Sequence, residues 1–153
     1  MKYQHIIIID LPRNEVVEKF NSVDNLRHWQ KGFISFEHLE GTPRKMNAKS
    51  YIKYQLGNRK VDMTETVLKN DLPDAFHVTY ETEGVFNRQE NYFEIIDDYH
   101  TKWIAISEFK FTNLIMKIIG TLMPNVFKKQ SYAYMVDFKN FAENDISVAN
   151  EKN

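Results

Sequence analysis

The chain has 153 residues, enough for one domain with a core of its own. Its net charge of −1 and lack of any isolated Lys/Arg block argue against nucleic-acid binding, and with no cysteine there is neither a disulfide nor thiolate chemistry. Aromatics reach 14 %, which favours large rigid side chains in the core or a roomy pocket walled by them.

The first segment, "YQHIIIID", is β-rich and reads as a strand. Its four isoleucines end at Asp10, too short a run for a signal peptide, so a cytoplasmic location is expected. In "LPRNEVVEKFNS", Pro12 opens a helix with Val16, Val17 and Phe20 on one face. Ser22 or Asp24 caps a second short helix, "VDNLRHWQ", which Gly32 stops.

Six strand-like runs follow: "FISFEHLEG", "KSYIKYQLG", "KVDMTETVLKND", "AFHVTYETEG", "FNRQENYFEIIDD" and "TKWIAISEFKF". Turn chemistry such as "GTPRK", "GNR" and "DLPD" separates them, so with the first strand they predict seven antiparallel strands.

"NLIMKIIGTLMPNVFKK" is the most apolar stretch, but it cannot span a bilayer. From Leu114 to Phe127 it is shorter than the roughly 20 apolar residues required, and Lys117 and Pro124 interrupt it. Integral membrane association is therefore not expected. Pro124 fits the first turn of a long helix to about Phe141, along which Phe127, Tyr134, Phe138 and Phe141 form an aromatic stripe. The preceding residues make a separate short helix or loop, loosened by Gly120. The tail over 146–153 is polar and expected to fray, leaving residues 1–145 as one domain.

Strand alternation sorts the candidate site residues. Val61, Met63, Glu65 and Val67 share a face, so Glu65 is a carboxylate among apolar neighbours, fit for proton transfer or for pairing with a cation. Val85, Asn87, Gln89, Asn91, Phe93 and Ile95 share another. Amides on an inward face need partners, which a cavity with a polar ligand head would supply. Trp103, Ala105, Ser107 and Phe109 form a third, where small residues beside aromatics leave room for a guest. Ile104 and Ile106 lie on the opposite face and offer a homodimer patch. The histidines at 5, 28, 38, 77 and 100 lack metal-ligand spacing, and no nucleotide or nucleophile motif occurs, so neither metal nor cofactor is expected. His28 and Trp29 are placed near a cavity rim, with His28 or Tyr54 as assistants to Glu65.

This order of elements, with "IIIIDLPRNEVVEKFNSVDNLRHWQKG", "VDMTETV", "YETEGVFNRQENYFEI", "TKWIAISEF" and "MPNVFKKQSYAYMVDFKNFAE", resembles the SRPBCC superfamily of START, polyketide cyclase-like and birch-pollen-allergen-like proteins. The resemblance implies an α+β helix-grip fold: a curved seven-stranded sheet around a long C-terminal helix, with two short helices after the first strand. It also implies a cavity for a hydrophobic small molecule or lipid, in a carrier, sensor or chaperone role. The alternatives are a cyclase, dehydratase or hydrolase using Glu65 as acid or base, and a homodimeric interaction module. The expected ligand contacts are Met63, Glu65, Asn87, Asn91, Phe93, Trp103, Ser107, Phe109, Met123, Phe127, Tyr134 and Phe138. Apolar residues over 114–123 would line or lid the entrance, Met and Ile there repacking around a ligand.

Overall fold

The computed structural model describes residues 1–149. Strand β1 (Lys2–Ile9) is followed by helix α1 (Arg13–Asn21), a single 3₁₀ turn (Val23–Asn25) and the short α2 (Leu26–Trp29). Six strands follow: β2 (Phe33–Glu40), β3 (Lys49–Leu56), β4 (Arg59–Asp71), β5 (Ala75–Thr82), β6 (Val85–Asp97) and β7 (His100–Phe111). Helices α3 (Leu114–Leu122) and α4 (Pro124–Asn144) complete the described chain. All neighbouring strands are antiparallel, in the order β1-β7-β6-β5-β4-β3-β2. Strands β2 to β7 form a meander; β1 closes its far side on β7, and the helices after β1 carry the chain across to the opposite edge.

The aromatic stripe of α4 packs against the concave face, as its helical spacing requires. Phe138 is fully buried and meets Trp103 edge-on at 5.3 Å between ring centres. Phe20 of α1 enters the same space and touches Phe93, Trp103, Phe76 and Phe138 at 5.0 to 6.0 Å. Edge-to-face rings pack densely and favourably, so this end of the interior is solid. Toward the other end α4 lies beside β1, where Tyr3 donates to the Phe127 carbonyl at 3.0 Å and shares a hydrogen bond with Ser131 at 2.7 Å.

Two local features differ from the sequence reading. Gly120 does not loosen α3. It is buried at the contact with β7, where a Cβ would overlap the Phe111 ring, so it lets the helix backbone lie directly on that ring. Asn113 caps the same helix, its side-chain oxygen accepting from the Met116 N–H at 2.8 Å. The polar tail is anchored over 146–149: Val148 is buried and donates its N–H to the His28 carbonyl at 3.0 Å. The rest of the tail, 150–153, lies outside the described residues.

On the convex face, Ile6 pairs across from Ile104, and Ile106 stands across from Gln4. Ile6 and Ile8 are exposed, Ile104 and Ile106 half-buried.

Candidate functional site: a cavity between the sheet and the long helix

Beyond the Phe20 plug, sheet and α4 diverge and enclose a cavity of about 770 Å³, within the usual size range for small-molecule sites. Phe20 and Trp29 close its inner end. Tyr54, Val61, Met63 and Tyr80 form one wall, Phe109, Phe127, Tyr134 and Met135 the other, and Asn87, Gln89, Asn91 and Trp103 the floor. Its mouth lies between the β3–β4 hairpin (Leu56, Arg59, Lys60), the β5–β6 turn (Thr82, Glu83) and α3 (Ile115, Met116).

The expected contacts divide into two groups. Met63, Asn87, Asn91, Trp103, Phe109, Phe127 and Tyr134 line the cavity; Glu65, Phe93, Ser107, Met123 and Phe138 do not. Phe93 and Phe138 point to the concave side but belong to the packed aromatic end. Ser107 is buried behind the Tyr3 hydroxyl, which hydrogen-bonds it, so the space expected beside it is taken. Met123 is exposed at the break between α3 and α4. The entrance residues Ile115 and Met116 reach the cavity, Ile115 while largely exposed, and Leu114, Ile118 and Leu122 face outward. His28 stacks on Phe141 at 5.1 Å and bonds Ser147, away from the cavity.

Glu65 is buried and inward, but the loop before β3 reaches it first. Arg44 lies 3.5 Å from its carboxylate, sits over the Phe76 ring at 4.4 Å and donates to Asn21 at 3.2 Å. On the cavity side, the Tyr80 hydroxyl hydrogen-bonds Glu65. Burial pushes the Glu65 carboxyl above its ordinary value, opposed by the Arg44 charge and the Tyr80 bond. Glu65, Tyr80 and Asn87 form one row across β4, β5 and β6, so Tyr80 separates the carboxylate from the amide. The unmatched partner was Arg44: it comes from a loop, with a left-handed φ of 65°, and no periodicity points to it.

The floor amides have different duties. Asn91 accepts from Trp103 Nε1 at 3.0 Å and from Gln89 at 3.4 Å, and donates to the Phe76 carbonyl at 3.2 Å. It braces the sheet. Asn87 donates to the Glu108 carbonyl at 3.2 Å, which leaves its side-chain oxygen as an acceptor at the cavity surface. Tyr54 donates to Gln30 at 2.6 Å, and burial pushes its phenol well above the ordinary range; Tyr80 and Tyr134 shift the same way from the same first cause. All three cavity phenols therefore stay protonated at neutral pH and act as hydrogen-bond donors. Sequence reading missed Tyr80, Gln30, Gln130 and Ser131 as lining residues. Tyr80 alternates with Val78 and Phe76 along β5, which is the signal that would have found it.

No family model matches this sequence, and no curated protein is recognisably similar to it. The similarity lies in solved structures. The Zhui aromatase/cyclase from a Streptomyces species superposes with a TM-score of 0.77 at 13 % identity, covering 98 % of each chain. The chain has the helix-grip fold. A conserved protein from Geobacillus kaustophilus gives 0.74 at 18 % identity, covering 93 % of this chain and 95 % of its own. Ara h 8.0201 gives 0.72 at 9 % identity, with 93 % and 97 % covered. At such identities the shared property is the fold. Among the described residues, no helix is long and apolar enough to cross a membrane.

Proposed function

We propose that this protein binds a largely apolar small molecule bearing a polar end in the cavity between sheet and α4, as a carrier, sensor or chaperone. The observation that carries this reading is the cavity itself: about 770 Å³, walled by aromatic and aliphatic side chains, with Asn87, Gln89 and three protonated phenols among its lining. Apolar walls supply affinity without direction, and a few fixed polar groups orient the guest. Native mass spectrometry of protein purified from its own source tests this. The expected result is a one-to-one adduct with an organic molecule that denaturing solvent releases. Protein that is always free of adduct, and that leaves an environment-sensitive apolar dye unbound, would contradict it.

The likeness to an aromatase/cyclase and the Tyr80–Glu65 hydrogen bond favour a second reading, an enzyme acting on a polyketide-like substrate. Here Glu65 would act only through Tyr80, since the carboxylate does not reach the cavity wall. Turnover of an aromatisable polyketide by the wild type, and its loss in Tyr80→Phe with binding retained, would support this reading over a carrier. Equal activity in Tyr80→Phe would remove it.

A further inference from the structure

Helix α3 buries Gly120 against Phe111 and turns an apolar stripe outward. Leu114, Ile115, Ile118 and Leu122 are 49 to 74 % exposed, a large continuous apolar surface to leave in water. At 3.6 residues per turn these four fall within about a third of the helix circumference, and Lys117 flanks them. Met123 and Val126, also exposed, extend the stripe into α4.

The charge around this stripe is one-sided. Between Glu108 and Asp137 the chain carries Lys110, Lys117, Lys128 and Lys129 and no acidic residue, although the whole chain is slightly acidic. Lys110 has Glu108 beside it at 3.9 Å, and Asp62 and Glu83 reach the cavity mouth, so the basic excess is concentrated on α3 and the start of α4. An apolar helix face bordered by lysines is the chemistry that enters the headgroup region of an anionic bilayer. A second copy of this chain fits less well. A two-fold contact through the stripe would place the lysines of both copies together, and like charges there oppose association.

We propose that α3 and the first turn of α4 form a docking surface for anionic lipid bilayers. The surface lies beside the cavity mouth, because Ile115 and Met116 of the same helix line the opening. Docking would set that opening against the lipid. The proposal does not depend on what fills the cavity.

Flotation of the full chain with phosphatidylcholine vesicles, with and without phosphatidylserine, tests it. The wild type should float with the phosphatidylserine vesicles and lose this binding in about 0.5 M salt. Ile118→Asp and Leu122→Asp, at exposed positions outside the cavity lining, should each weaken it by roughly tenfold or more. Lys117→Glu combined with Lys129→Glu should do the same. Ile95→Asp, exposed at the far end of β6, should leave it unchanged. Failure to float with either vesicle overturns the proposal, as does flotation that the α3 substitutions leave intact. Sedimentation as a dimer that Ile118→Asp dissociates, without vesicle binding, would assign the stripe to a second copy and also overturn it. Dye binding in the cavity, measured on the same variants, separates these failures from a failure of the cavity reading.

Discussion

Replacing Arg44 by Met removes the cation beside Glu65 while leaving an unbranched side chain to cover Phe76. The Glu65 carboxyl is buried, with its pKa already raised from 4.5 by desolvation, and Arg44 is the larger of the two effects that hold it down. Without Arg44 the group is left buried and charged, or it takes up a proton. Keeping a carboxyl of ordinary pKa protonated at pH 7 costs about 3 kcal/mol at 1.36 kcal/mol per unit, which caps the charge penalty. Breaking a buried pair usually costs roughly 3–5 kcal/mol. Here the 3.5 Å separation and the partly exposed Arg44 side chain reduce it, and part of the burial cost is already present in the wild type. The expected loss for Arg44→Met is about 2–3 kcal/mol at pH 7. The pH dependence has a fixed sign. A carboxyl whose folded pKa is raised favours the fold most when protonated, below its unfolded pKa of about 4.5, and this contribution is lost as pH rises through the folded value. The Arg44→Met deficit should therefore shrink to under about 1 kcal/mol near pH 4.5. Glu65→Gln should flatten this part of the pH profile, and in that background Arg44→Met should cost less than in the wild type. Urea unfolding of the four proteins at both pH values measures all of this. An Arg44→Met deficit that is the same at both pH values, or the same with and without the Glu65 carboxyl, would refute the reasoning.

Gly120→Ala should destabilise the docking of α3 by about 1–3 kcal/mol, because the methyl group overlaps Phe111; hydrogen exchange should rise in α3 and leave the sheet protected. Asn113→Ala removes the α3 cap and should cost about 1 kcal/mol, visible as fraying of the same helix by NMR. Phe20→Ala should cost roughly 3–5 kcal/mol in thermal or urea unfolding, since Phe20 touches five buried rings and its loss joins the packed end to the cavity. Asn91→Leu should destabilise more than Asn87→Leu, because Asn91 satisfies the Trp103 indole and the Phe76 carbonyl, while Asn87 makes its bonds to backbone carbonyls at 3.2 and 3.5 Å.

The sheet was legible because each strand is bounded by turn chemistry and alternates at period two. Pairing of β1 with β7 is a long-range contact that no local pattern encodes. Alternation also tells which face a residue takes and nothing of its position along the groove. Met63 and Phe93 were both placed inward, yet one meets the cavity and the other the aromatic plug that Phe20 brings from α1. Glu65 was read as buried from its neighbours, which is where it lies. Its partner comes from an aperiodic loop, so alternation leaves proton transfer and pairing with a cation both open, and it takes the fold to bring Arg44 and Tyr80 to the carboxylate. The same holds for Asn91, inward as its spacing requires and already bonded on three sides. The apolar run before Pro124 was recognised as too short for a span, but its outward face depends on Gly120 lying on Phe111, a contact between elements.

The two tryptophans of the chain, Trp29 and Trp103, both line the cavity, and each has an indole N–H that gives a separate signal in a proton–nitrogen NMR spectrum. Titrating the wild-type protein with anilinonaphthalene sulfonate therefore reads the cavity directly. Saturable shifts of both indole signals at one equivalent, together with backbone shifts at Asn87 and Tyr134, are the predicted result. Dye binding that moves only α3 resonances and leaves both indoles in place would contradict the account.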